Sequence, residues 1–166
     1  LDNLQPTSVF KFFKDICAIP HGSGNTKALS DYCVAFAKQR KLWYRQDEHG
    51  NVIIRKSASE GREKDKGIII QGHLDMVAVK EPDSNHDFGK DPLELVVDGD
   101  YLYARGTSLG GDDGIAVAYA LALLASDTIS HPQIEAIFTV DEEIGLLGAS
   151  GLDMTDITGS YLLNID

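Results

Sequence analysis

One histidine and several carboxylates stand at places in this chain where a cation and a proton carrier could be assembled. Residues 67–71 run into Gly72-His73-Leu74-Asp75, and Gly110-Gly111-Asp112-Asp113-Gly114 leads into an apolar helix. Residues 134–140 run into Asp141-Glu142-Glu143, and residues 160–165 run into Asp166. Three of these four segments follow a run that reads as a β-strand. Open α/β sheets gather ligands beyond the carboxyl ends of their strands. His73, Asp112, Glu142, Glu143 and Asp166, distant in sequence, would therefore converge if those strands lie side by side. Mixed imidazole and carboxylate donors suit zinc, and also cobalt or manganese. A pair of such ions sharing a water is the layout of a hydrolytic site.

The residue types suggest a division of roles. His73 and Asp75 are two apart at a strand terminus, so their side chains leave on the same face. A carboxylate there can accept the second N–H of a metal-bound imidazole and fix its orientation, which is the role assigned to Asp75. Gly110-Gly111 lets the backbone approach a metal closely. Asp112 then stands at the positive end of a helix, which favours its ionised form, and its two oxygens can bridge two cations. Asp113 reads as the N-cap of the helix over 115–125. Glu142 and Glu143 are neighbours whose side chains should diverge, so one would bind metal while the other faces substrate and moves protons. Asp166 is a ligand candidate by its place after the 161–165 run. If His73, Asp112 and Asp166 hold one ion, and Asp112 and Glu143 the other, the second ion lacks a third protein ligand. His21, His49, His86 and His131 follow no apolar strand and read as surface or loop histidines. Each residue also has a plainer reading, from a strand-end histidine to a surface acidic pair, so the assignment rests on the four segments together.

The elements that must position these groups are legible from periodicity. Apolar residues at helical spacing predict a helix over 8–19, with Thr7 or Ser8 as N-cap, ended by Pro20-His21-Gly22-Ser23-Gly24. A second amphipathic helix spans 26–42. Residues 43–45 and 51–55 read as strands around a polar turn, and 57–66 as a charged surface loop. The short apolar run 67–71 suits a strand buried on both faces. Residues 81–92 form a polar loop, and 93–97 with 101–104 flank Asp98-Gly99-Asp100 as a hairpin. The segment 115–125 is apolar nearly all round, as a buried helix is. A central strand over 134–140, a helical turn over 145–150 and a last strand over 161–165 follow. Helices alternating with apolar strands predict an α/β sandwich with a central, mostly parallel (mixed) sheet flanked by helices.

A chain of 166 residues is long enough for one domain with a real core. Its net charge of −11 argues against nucleic-acid binding, which needs clustered Lys and Arg. No apolar run approaches the roughly 18 residues of a membrane span. No charged-then-apolar leader is visible. Cys17 and Cys33 sit in apolar-periodic segments and read as buried free thiols, which favours a cytoplasmic setting. The chain opens at Leu1, and Asp166 directly follows an apolar run, so residues 1–166 are expected to be the N-terminal part of a longer catalytic domain.

Taken in order, Gly72-His73-Leu74-Asp75-Met76-Val77, the stretch from Gly106 to Gly114, Thr139-Val140-Asp141-Glu142-Glu143-Ile144-Gly145 and Asn164-Ile165-Asp166 resemble the co-catalytic zinc metallopeptidases, the family of aminoacylase, carboxypeptidase G and the bacterial dipeptidases. Within it, Asp75-Met76-Val77 and residues 106–114 are most similar to the aminoacyl-histidine (Xaa-His) dipeptidase group. The resemblance covers the whole chain, including Ile19-Pro20-His21. It implies two zinc ions, with His73 and Asp166 on one, Asp112 as bridge, Glu143 on the other, Glu142 as general base and Asp75 steadying His73. It also implies a cis peptide at Asp112–Asp113, a final histidine ligand and a lid or dimerisation domain beyond this chain, a dipeptide substrate, and a homodimer in the full-length enzyme. Residues 1–166 alone would then be inactive. Asp113 departs from the asparagine of many relatives of this type. The rival readings are an amidohydrolase acting on N-acyl amino acids through the same residues, and a non-catalytic binding homologue.

Overall fold

The computed structural model describes Leu1 and residues 3–166. Its elements are α1 (Thr7–Cys17), α2 (Lys27–Gln39), β1 (Trp43–Gln46), β2 (Val52–Lys56), β3 (Ile68–His73), β4 (Leu95–Asp98), β5 (Tyr101–Ala104), α3 (Gly111–Ala125), β6 (Ile134–Thr139), α4 (Leu147–Ser150) and β7 (Tyr161–Asn164). Five strands form one mixed sheet in the order β1-β2-β6-β3-β7, and β4 and β5 pair separately as a hairpin. The β1–β2 and β2–β6 pairings are antiparallel, and β6–β3 and β3–β7 are parallel. No helix among the described residues is long and apolar enough to cross a membrane.

Strand alternation sorts the core into two unequal layers. Val52 and Ile54 of β2, Ile70 of β3 and Ala136 and Phe138 of β6 all face the three long helices. Residues one step along the pleat point the other way. Ile53, Ile69 and Ile137 form a small second cluster, covered by Leu152 and Ile157. The helices thus crowd one face, while an irregular stretch covers the other. The nearly all-round apolar α3 is buried along most of its length, as its composition predicts. Cys17 and Cys33 are buried free thiols, and burial pushes Cys17 up to about 12.

Helix starts depart from expectation. Pro6, not Thr7 or Ser8, is the N-cap of α1, and no side chain caps it. Thr7 already lies inside the helix, where its hydroxyl accepts a bond from Gln5 Nε2 at 2.9 Å. The strand expected to stop at Gln71 continues through His73, paired with Thr139 of β6.

Glu135 explains how β7 is held. It points to the thinly covered face yet is wholly buried. It accepts bonds from Arg55 Nε (2.8 Å), the Thr158 backbone amide (3.0 Å), the Thr158 hydroxyl (3.2 Å) and the Gly159 amide (2.7 Å). These bonds tie β2 and β6 to the segment entering β7. Stripping a buried, fully bonded carboxylate leaves several donors without partners. Glu135→Ala should lower unfolding free energy by about 3 kcal/mol in a urea titration, and Glu135→Gln, which keeps an acceptor, by less.

Candidate metal centre

The parallel strands bring their carboxyl ends to one edge. Thr139 is level with His73, and Asn164 is level with Gln71, so two more residues carry Asp166 level with His73. Around the His73 ring, Asp112 Oδ1 lies 3.0 Å from Nε2, Glu142 Oε2 lies 3.9 Å away and Asp166 Oδ1 lies 4.0 Å away. One ligand atom from each of His73, Asp112 and Glu143 falls within 4.8 Å of the others. One imidazole nitrogen among several carboxylate oxygens is a donor set that fits a divalent cation such as zinc. All five residues expected to gather at the strand ends are brought together.

Asp112 reaches the cluster through a sharp turn. Gly110 is the N-cap of α3 in the left-handed region (φ 68°), and Asp112 and Asp113 have non-helical backbone, with a cis peptide between them. The regular helix therefore begins just after the two acids. A methyl group at Gly110 would stand 2.9 Å from Met76 Sδ and 3.3 Å from His21 Nε2.

Asp75 lies beneath His73 as a junction. His73 Nδ1 donates to the Asp75 backbone carbonyl at 2.9 Å and lies 3.4 Å from its Oδ1. The same carboxylate accepts the backbone amides of Glu142 (2.9 Å) and Glu143 (3.2 Å) and the hydroxyl of Ser23 (2.7 Å). One buried acid thus positions both the histidine and the loop that carries the two glutamates.

Asp113 corrects the sequence reading. It is buried and does not cap α3; its Oδ2 accepts the backbone amide of His73 at 3.1 Å. The side-chain-free position of Gly72 makes room for it, since a Cβ there would meet Asp113 Oδ2 at 2.9 Å. A glycine beside the histidine was the only sequence signal for this contact. His21 and His131 are also buried rather than superficial. Each ring donates from Nδ1 to a backbone carbonyl, of Ile19 at 2.6 Å and of Pro132 at 2.7 Å, which lets the imidazole leave water.

The electrostatics follow from this packing. Burial works against a charged His73, but Asp75, Asp113 and Asp112 outweigh it and raise the ring to about 9. For Asp75, burial pushes upward, yet the bonds from His73, Ser23 and the two glutamate amides bring it down to about 2. Asp113 is raised to about 7 by burial first, with the charges of Asp166 and Asp112 adding to it against the pull of His73. Glu143 is displaced upward by desolvation and then by Asp112. The cluster is thus a crowd of acids partly offset by one imidazole held toward its charged form.

The profile of Peptidase family M20/M25/M40 matches residues 69–163. The cytosol non-specific dipeptidase of Escherichia coli (strain K12) is 42% identical over 166 residues, which is 100% of this chain and 34% of that protein. The acetylornithine deacetylase of Dictyostelium discoideum is 31% identical over 116 residues, 68% of this chain and 25% of that one. The crystal structure of an aminoacylhistidine dipeptidase from Vibrio alginolyticus superposes with a TM-score of 0.95 at 44% identity, covering 98% of this chain and 33% of that one. The chain spans about a third of the length of the dipeptidases it matches. The matched family is metal-dependent, usually on zinc.

The two glycines before Asp112 should respond differently to alanine. Gly110→Ala forces a side chain into a left-handed position against Met76, and should cost about 1–3 kcal/mol and weaken zinc uptake by moving Asp112. Gly111→Ala meets only Leu109 at 3.7 Å, so it should unfold within about 1 kcal/mol of the parent and load zinc normally. Urea unfolding and zinc titration of both variants check the pair.

Proposed function

Because the chain belongs to Peptidase family M20/M25/M40, we propose that residues 1–166 form the N-terminal part of the catalytic, metal-binding domain of a dipeptidase that hydrolyses Xaa-His and other small dipeptides. The observation that carries this reading is a dipeptidase's sequence matched along the whole chain together with an imidazole–carboxylate cluster at the strand ends. His73, Asp112 and Asp166 would hold one zinc, and Asp112 and Glu143 a second. Zinc so held supplies Lewis acidity, which polarises the scissile carbonyl and makes a water acidic enough to attack near neutral pH.

The chain's own residues do the rest. Glu142 takes the proton of the attacking water onto its carboxylate and delivers it to the departing amine nitrogen. Its Oε2 lies 3.9 Å from His73 Nε2, beside the groups assigned to the metal. Asp75 holds the His73 ring through its backbone carbonyl and leaves Nε2 beside Asp112, the arrangement that would make the imidazole a better metal donor. The substrate is a dipeptide and the intact protein works in the cytoplasm, as the Escherichia coli relative's description, a cytosol non-specific dipeptidase, has it for that protein; the homodimer implied by the family resemblance belongs to the same proposal.

The identity to an acetylornithine deacetylase favours a second reading, in which the same residues cleave N-acyl amino acids. The full-length protein assayed on His-terminated dipeptides and on N-acetyl amino acids separates the two; turnover of the acetylated substrates alone would establish the second.

Glu142→Gln keeps the shape and loses the proton acceptor. The full-length variant should bind the same amount of zinc as the parent while turnover drops by about 10²–10⁴-fold. Near-parental turnover would remove Glu142 from the base role.

A further inference from the structure

The loop that ends α1 reads in the sequence as a helix breaker and nothing more. In the fold it touches three of the four segments that build the metal centre. Its Ser23 hydroxyl donates to Asp75 Oδ2 at 2.7 Å, across 52 positions of sequence. Its backbone pairs with the strand end, since Met76 N donates to His21 O at 3.1 Å and Ser23 N donates to Met76 O at 3.2 Å. Gly24 N donates to Asp141 Oδ1 at 2.7 Å, beside the two glutamates. The His21 ring stands against Gly110, at the turn that presents Asp112.

Among the described residues the ring's Nε2 has no hydrogen-bond partner, and His21 packs there against the Gly110 backbone. Ser23 is different, because it bonds the one carboxylate on which His73 and the 142–143 loop both depend. With both glutamate amides already on Asp75, the hydroxyl is the side-chain donor that fixes the remaining rotation of that acid. A carboxylate that turned about its Cβ–Cγ bond would release two peptide groups together and lose its approach to His73 Nδ1, leaving that ring on the Asp75 backbone carbonyl alone.

We propose that Ser23 is a positioning residue of this site: its hydroxyl, with the neighbouring Gly24–Asp141 bond, fixes Asp75 and through it the His73 ligand and the Glu142–Glu143 loop. The assignment to a hydrolytic site rests on the dipeptidase reading; the effect on metal binding does not. Ser23 touches neither substrate nor reacting atoms, so its loss acts on kcat and on zinc affinity and leaves KM nearly unchanged.

The test uses the full-length protein. Ser23→Ala should lower zinc affinity, measured by chelator competition, and kcat by about tenfold each, as loss of a bond supporting a ligand does. Ser23→Thr should restore both. The amides of Glu142 and Glu143 should exchange hydrogen faster in Ser23→Ala. In an Asp75→Asn background the added Ser23→Ala change should cost little more, because the two act as one unit. If Ser23→Ala does not fold, the matched pair Ser23→Thr and Ser23→Val, equal in shape and differing in the hydroxyl, gives the same comparison. Parental zinc affinity and kcat in Ser23→Ala or Ser23→Val, or losses that add fully to those of Asp75→Asn, would overturn the proposal. Should the parent protein fail to cleave dipeptides, the dipeptidase reading falls, and the zinc titrations still decide the role of Ser23.

Discussion

Parallel register between β6, β3 and β7 sets side by side three chain ends that carry the reactive groups. Hydrogen bonds along these ladders are evenly spaced, so the advance of one strand fixes the advance of its neighbours. A slip of one residue in β7 would turn every side chain of that strand to the opposite face. The placement of Asp166 against His73 is thus a product of backbone pairing at Ile68–Gln71, several residues before either group appears.

Gathering so much negative charge opposes folding, and the structure meets that cost by local means. Asp75 is surrounded by donors, Asp113 sits on a backbone amide, and Asp112 stays largely in water, where its charge is screened. The ring of His73 is the counter-charge at the centre. In the proposed site a cation held by His73 would take the place of the ring's proton, so that binding the ion and settling the acids would be one event.

Much of this was legible in the sequence. The apolar runs before His73 and Glu142, and the one before Asp166, identify the sheet and its reactive edge, because strand ends in such folds are where side chains are free to converge. The roles of buried supports were not legible. Asp113 looks like a helix cap by position, and only the kinked backbone and the gap left by Gly72 show that it holds an amide. Ser23 lies in a segment whose Pro and Gly content signals a turn and conceals a long-range bond to Asp75. Glu135 resembles a polar interruption in an apolar strand until its partners from 158–159 are in place. Periodicity reports which face a residue takes; it carries no information about which distant group it will meet.

The uneven layering of the sheet has a consequence for how the molecule comes apart. Three helices seal one side, whereas on the other Leu152, Ile157 and the Gly159 backbone pack on Ile53, Ile69 and Ile137, with Glu135 as the anchor. Cooperative opening begins where apolar contact is sparse. The stretch leading to β7 is then the first to detach on warming, while β2, β6 and β3 still stand. Because Asp166 follows that stretch, the proposed ion site would loosen as a sub-global transition, at a lower temperature than the loss of helical signal.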